Sequence, residues 1–306
     1  MSRGRPSLIS VDWGTSSFRA LLSSERGEVI DQVETDSGIL KVAPGEHERV
    51  LFLAVGGWCE RTGAPIVMSG MIGARQGWVE APYATCPAGL LDVASAMVTI
   101  RTAALGPVSV VPGMSVIDSH GAPDVMRGEE TQVFGALTAS GAKEGLFVLP
   151  GTHSKWARVE DGRILSFATY MTGEVFAVLK RHSILGQLMV EDGVLGEGFD
   201  EGVRSAAGLQ RPGELLHAIF MTRTLGLFDH LSPAKLSDYL SGLLIGAEIA
   251  AAARDIREAT VIASANLTMR YCRAGALLGL TFTRAPEHCA LLGHLALLAA
   301  RGGAPA

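Results

Sequence analysis

The 306-residue chain is 48% hydrophobic and 19% charged, with 26 basic against 31 acidic side chains and a net charge of −5. That apolar content excludes a disordered chain, and the absence of a basic excess argues against nucleic acid as a partner. The length suits two domains around separate cores.

Met1–Ser7 is short and polar and has no secretory-signal pattern. Leu8–Val11 reads as a buried strand, Asp12–Ser17 as a tight turn, Phe18–Leu22 as a strand, Glu25–Glu28 as a turn and Val29–Val33 as a third strand. Pro65–Met71 reads as a strand running into a glycine loop, Leu90–Leu105 as a helix, Val108–Pro112 as a strand and Glu129–Ala139 as a helix.

The antiparallel meander then recurs. Leu146–Leu149, a turn at Pro150–Ser154, Lys155–Val159, a turn at Glu160–Arg163 and Ile164–Ala168 repeat strand–turn–strand–turn–strand. Gly14-Thr15-x-Ser17 aligns with Gly151-Thr152-x-Ser154 at an offset of 137 residues, and Ala20 then falls on Ala157. This is one supersecondary unit used twice, with no solenoid period.

Helices follow over Gly173–Gln187, Leu215–Leu225, Leu236–Ala253 (started by Ser232-Pro233), Leu267–Ala276 and Pro286–Ala300, with a strand at Thr260–Ala263. Asp192–Gly202 is a glycine-rich stretch. The class is α/β, and a linker near 119–127 divides a 1–122 domain from a 123–306 domain whose last helix packs back on the first. Glu248 and His294 interrupt the longest apolar runs, which are too short to span a bilayer, so a cytoplasmic protein is expected. Cys59, Cys86, Cys272 and Cys289 are scattered and read as reduced thiols, with no zinc spacing among them.

The two turns offer backbone N–H and hydroxyl donors of the kind a polyphosphate needs: Gly14, Thr15 and Ser16 in one, Gly151, Thr152, His153 and the adjoining Lys155 in the other. Facing across a cleft, they would hold a triphosphate from both sides; singly, each is an ordinary hairpin turn. Asp12 is either a turn-starter or a carboxylate for Mg²⁺. Glu129 and Glu130 either complement the positive end of their helix or supply one carboxylate as a general base. Arg75 is a surface cation or a fork for a substrate carboxylate, with Arg127 as a second candidate. Thr172 reads as an N-cap or a substrate donor, with Glu174 beside it.

Six blocks in order — Asp12–Arg19, Ser69–Gly73, Met126–Gln132, Pro150–Trp156, Met171–Glu174 and Ser241–Glu248 — resemble the 2-dehydro-3-deoxygalactonokinase family of the actin/hexokinase/Hsp70-like ATPase superfamily. The resemblance implies two ribonuclease-H-like domains around an interdomain cleft. It implies ATP and Mg²⁺ as cofactors and phosphorylation of the 6-hydroxyl of 2-dehydro-3-deoxy-D-galactonate, in galactonate breakdown. It makes Glu129 the base with Glu130 in reserve, and Asp12 the metal-associated carboxylate. The alternatives are a kinase for another keto-deoxy acid, such as 2-dehydro-3-deoxy-D-gluconate, or a non-catalytic nucleotide or sugar-acid sensor. A homodimer is allowed; membrane and nucleic-acid partners are not expected. One segment departs from the pattern: Ile262–Thr268 stands where the superfamily has a Gly-Gly adenosine loop, so Cβ atoms there are expected to crowd the nucleotide.

Overall fold

A computed structural model describes residues 6–190, 195–211, 213–253 and 256–303. The chain divides into two compact units. The first contains residues 1–145, 157–167 and 286–306; the second contains 146–156 and 168–285.

In the first unit, β1 (Pro6–Trp13), β2 (Phe18–Ser24) and β3 (Val29–Thr35) form the expected antiparallel meander. Helix α1 (His47–Thr62) leads to β4 (Ile66–Gly70), which pairs parallel with β1. The sequence reading names no element over α1, whose Gly56-Gly57 pair lowers helix propensity. After β4 come β5 (Tyr83–Thr85), β6 (Ala88–Gly89), α2 (Leu90–Ser95), β7 (Val98–Arg101) and β8 (Pro107–Val110). The expected helix over 90–105 therefore stops after six residues. Val98-Thr99-Ile100 is β-branched throughout and pairs antiparallel with β8.

β9 (Gly113–Ile117) pairs with β10 (Pro123–Met126) just before α3 (Glu129–Ser140). The segment read as an interdomain linker is thus half strand, and residues 123–145 cluster with the first unit. The last helix, α9 (Cys289–Gly303), packs on α3 and β1 in that same unit. Leu8 to Val11 are all buried because β1 is covered on both faces. Ile9, Val11 and Trp13 meet Leu51, Val55 and Trp58 of α1. Ser10, on the opposite face, bonds His294 of α9 (2.7 Å).

The plan repeats in a second sheet, which lies in the second unit except that residues 157–167 of its hairpin cluster with the first. β11 (Gly145–Leu149), β12 (Ser154–Glu160) and β13 (Arg163–Tyr170) form the second meander, followed by α4 (Thr172–His182), α5 (Glu197–Ala207), α6 (Glu214–Leu227) and α7 (Pro233–Ala252). β14 (Glu258–Val261), α8 (Ala265–Leu277) and β15 (Thr281–Arg284) complete it. The strand order β13-β12-β11-β14-β15 reproduces β3-β2-β1-β4-β8, with β14 parallel to both β11 and β15 as β4 is to β1 and β8. The duplicated α/β, ribonuclease-H-like plan expected from the repeat is present.

One reading changes and one stretch gains an element. The expected helix over 173–187 ends at His182, with a separate 3₁₀ turn at Gly186–Leu188. The glycine-rich stretch over 192–202, to which no element is assigned from sequence, carries α5 from Glu197 onward; residues 191–194 lie outside the described residues. Its glycines serve helix packing: a Cβ at Gly202 would strike the Tyr239 carbonyl of α7, and one at Gly242 of α7 the Phe199 carbonyl of α5. Among the described residues no helix is long and apolar enough to cross a membrane, and the four cysteines are free.

Candidate active site

In the first unit the β1–β2 turn closes by a hydrogen bond from the Gly14 N–H to the Ser17 carbonyl (2.9 Å), leaving Thr15 and Ser16 exposed. The chain returning from β3 braces it. The Ile39 N–H donates to the Gly14 carbonyl (3.0 Å) and the Leu40 N–H to the Thr15 carbonyl (3.2 Å). Gly38 lies against the backbone of Thr15 and Ser16 so closely that no Cβ fits.

Asp12 sits half-buried near the end of β1, beside Arg19 of β2 and Ser69 of β4. Burial raises its carboxyl above the ordinary value, against the pull of the Arg19 guanidinium. Next to it the backbone turns at Gly70 (φ +92°), where a Cβ would lie 2.7 Å from the Trp13 carbonyl and 3.3 Å from Asp12 Oδ1. Gly128 (φ +106°) approaches Gly70 in turn; its Cβ would stand 3.2 Å from the Gly70 Cα. Two left-handed glycines therefore let the start of α3 come down beside the end of β1.

Both carboxylates at the start of α3 fold back onto backbone amides. The Arg127 N–H donates to Glu129 Oε2 (2.9 Å) and the Gly128 N–H to Glu130 Oε2 (2.8 Å). Glu130 is fully buried and also accepts the Thr131 hydroxyl (2.9 Å). Burial first, and the Glu129 charge second, push it up to about 7. Glu129 is half-buried, whereas Glu130 is sealed. Arg127 donates from Nη2 to the Ala81 carbonyl (2.9 Å) and lies 4.3 Å over the Tyr83 ring. Its Nε and Nη1 are buried without a hydrogen-bond partner among the described residues. Arg75 is exposed and lines a separate pocket of about 310 Å³ in this unit, together with His47, Gln76 and Trp78.

In the second unit the β11–β12 turn is braced by α4. The Glu174 N–H donates to the Thr152 carbonyl (2.9 Å), and Gly173 lies against the Gly151 carbonyl with no space for a Cβ. His153 Nε2 meets Glu174 Oε2 at 2.5 Å. Thr172, expected as an N-cap, is instead the first helical residue; the cap is Met171, with no side-chain bond to the helix. Lys155, expected at the phosphates, is buried on β12, the strand that leaves the turn, and its ammonium donates to Thr169 Oγ1 (2.7 Å).

Beside the Gly151 turn lies a pocket of about 380 Å³, walled by Gly151, Thr172, Lys180, Asp238, Ser264 and Arg270 among others. The expected crowding by Ile262–Thr268 does not close it: Ser264, Asn266 and Leu267 form one wall. Arg270 pairs with buried Asp238 (2.9 Å) and bonds Asn266 Oδ1 (3.0 Å) and Ser241 Oγ (3.2 Å). Beneath the turn, buried Glu248 accepts hydrogen bonds from Ser154 (2.7 Å), Trp156 Nε1 (2.7 Å) and Tyr271 (2.8 Å). Burial, with the Glu248 charge next, holds the Tyr271 hydroxyl well above its ordinary pKa and so keeps it a donor.

The structure thus groups Asp12, Gly14, Thr15, Ser16, Arg127, Glu129 and Glu130 in one unit, and Gly151, Thr152, His153, Thr172 and Glu174 in the other. Sequence reasoning missed Glu248, His47 and the Asp238–Arg270 pair. A lone carboxylate inside the apolar run at 243–253 was the available signal for the first. His47, Asp238 and Arg270 carry no local pattern.

Comparison with known proteins follows from this geometry. The model of a family described as 2-keto-3-deoxy-galactonokinase matches residues 12–297. The chain is 32% identical over 281 residues to the 2-dehydro-3-deoxygalactonokinase of Escherichia coli (strain K12), covering 90% of this chain and 91% of that protein. It is 37% identical over 246 residues to a Rhizobium meliloti (strain 1021) protein named Probable 2-dehydro-3-deoxygalactonokinase DgoK1, covering 79% of each. A crystal structure of a Sinorhizobium meliloti protein assigned the same activity superposes with a TM-score of 0.84 at 34% identity, covering 96% of this chain and 97% of that one.

Proposed function

Because the chain belongs to the 2-keto-3-deoxy-galactonokinase family, we propose that it transfers the γ-phosphoryl group of ATP to the 6-hydroxyl of 2-dehydro-3-deoxy-D-galactonate. The observation that carries this reading is the match over residues 12–297. The twice-used turn supports it, since each copy offers amide and hydroxyl donors held from below by the returning chain.

In this reading Gly14, Thr15 and Ser16, and likewise Gly151, Thr152 and His153, donate to phosphate oxygens of ATP. The nucleoside occupies the pocket beside Gly151, where the first turns of α4 and α8 bring Thr172 and Ser264 to its wall and their helix ends favour negative charge. Glu174 holds His153 in place. Arg75 and Arg127 receive the carboxylate of the sugar acid, Arg127 through donors that have no hydrogen-bond partner among the described residues.

Glu129 accepts the proton of the attacking hydroxyl. Its bond from the Arg127 N–H fixes the carboxylate, and its partial exposure leaves it accessible. Glu130, sealed and doubly hydrogen-bonded, instead shapes the start of α3. The transition state of such transfers is loose, so positioning and charge stabilisation carry most of the rate.

Asp12 fits Mg²⁺ as a single hard-oxygen donor. Such an ion keeps most of its hydration shell and needs few protein ligands. When bound, Mg²⁺ neutralises charge on the phosphates. The reading places the enzyme in the cytoplasm.

A coupled assay of ADP release against a panel of keto-deoxy acids tests the proposal. The galactonate-derived acid is expected to give the highest kcat/KM. Preference for the gluconate-derived epimer would reassign the substrate, and ADP release independent of any acid would reject the kinase reading.

A further inference from the structure

The pocket of about 310 Å³ in the first unit holds a side chain that the phosphoryl-transfer reading leaves unused. His47, the first residue of α1, lines this pocket and is 6% exposed. Its Nε2 is buried and has no hydrogen-bond partner among the described residues. The ring is fixed on two sides: Trp78 stacks on it at 6.1 Å with planes 13° apart, and Trp13 meets it edge-on at 6.1 Å. Burial lowers its pKa, so the ring is neutral near pH 7 and its nitrogens can donate or accept.

A buried polar atom without a partner is destabilising by about 1–3 kcal/mol, and this one belongs to a ring that lines a pocket, where an entering polar group can supply the missing partner. The other polar lining groups, Arg75 and Gln76, narrow the chemistry. A guanidinium fork suits a carboxylate, an amide suits a hydroxyl or carbonyl, and the indole face suits the C–H face of a polyol chain. Trp13, which meets the His47 ring edge-on, follows Asp12 at the end of β1, and Arg75 follows β4, whose last residue Gly70 approaches Gly128.

We propose that this pocket is the sugar-acid subsite and that His47 Nε2 reads one hydroxyl of the acid while Arg75 holds its carboxylate. The inference rests on the kinase reading and adds a specificity-determining residue to it. A site built to hydrogen-bond a hydroxyl rejects an analogue that lacks it, because the buried partner is then left unpaired.

Two measurements test the assignment. His47→Phe keeps the stacked ring and removes the nitrogens. It is expected to raise KM for the acid about tenfold, the effect of one net hydrogen bond, with KM for ATP unchanged and partial rescue in His47→Gln. Among analogues each lacking one hydroxyl, a single analogue is expected to bind wild type and His47→Phe equally. An unchanged KM for the acid in folded His47→Phe overturns the proposal. Imidazole ¹⁵N spectra of the wild-type protein provide a test independent of any variant's folding. The sugar acid is expected to move the His47 Nε2 resonance while a non-hydrolysable ATP analogue alone does not; no movement with saturating acid overturns it. Should the wild type phosphorylate no acid in the panel, the kinase reading falls, whereas turnover with an unresponsive His47 rejects only this subsite.

Discussion

The two turns share one construction and differ in what surrounds them. In each, the segment leaving the meander bends back, ties the turn's carbonyls through its N–H groups and presses a glycine beneath it, Gly38 in the first unit and Gly173 in the second. The Gly14 turn follows Asp12 on β1, and the start of α3, which carries Glu129, reaches the neighbouring strand end through Gly128 and Gly70. The Gly151 turn borders a pocket and stands on Glu248, whose three donors are fixed in protein. In the proposed reading, one scaffold serves reactive groups in the first copy and binding groups in the second. Each copy keeps the brace and changes the residues that flank it.

The sharpest test of that division is Glu129→Gln, expected to lower kcat by a factor of about 10²–10⁴ with little change in ATP affinity. Glu130→Gln is expected to act on stability more than on turnover. Steady-state kinetics on both variants decides, and the reverse pattern would exchange their roles.

Next in size is Glu248→Ala, which strands the hydroxyls of Ser154 and Tyr271 and the indole N–H of Trp156 in a buried site. Each orphaned donor costs about 1–3 kcal/mol, so urea unfolding should show a loss of about 3 kcal/mol or more. ATP binding should weaken with it, because Ser154 adjoins the turn.

Gly173→Ala and Gly38→Ala compare the braces themselves. Each added methyl meets backbone, and overpacking of this kind destabilises by about 1–3 kcal/mol. Thermal unfolding measures that cost. The account expects Gly173→Ala also to raise KM for ATP, whereas a surface-like tolerance at either position would break the parallel.

The smallest effect is a pH dependence confined to the first unit. Glu130 has a folded pKa near 7 against an ordinary 4.5, so the folded state holds more protons in that interval and stability falls as pH rises through it. His294, fully buried with its Nε2 unpartnered, is pushed down to about 3 from an ordinary 6.5, so stability there rises with pH. Between 4.5 and 6.5 the two oppose one another. Denaturant titrations should show a steeper rise with pH in Glu130→Gln and a net fall with pH in His294→Gln.

The sequence made the turns legible because their chemistry is local: Gly-Thr-x-Ser recurs with the same strands on either side. It also marked Glu129 and Glu130, two adjacent carboxylates on a helix start, without saying which one is sealed. That difference arises from the approach of Gly128 to Gly70, which are 58 positions apart. Helix α5 was hidden by glycines whose value lies in contact with α7, a tertiary effect that propensity cannot register. The helix expected over 90–105 failed for the complementary reason, a β-branched run finding a partner strand in β8. His47 and the Asp238–Arg270 pair became visible only in the fold, since the groups they meet, Trp78 for His47 and each other for Asp238 and Arg270, lie about 30 positions away in the chain.

Calorimetric titration with ATP–Mg²⁺ of the wild type beside Thr15→Ala and Thr152→Ala tests most directly whether both copies of the turn serve the phosphates. A hydroxyl bonded to a charged oxygen contributes about 1.5–3 kcal/mol, so each variant is expected to weaken binding about tenfold or more. Wild-type affinity retained in either variant, or a protein that binds the sugar acid but no nucleotide, would contradict the account.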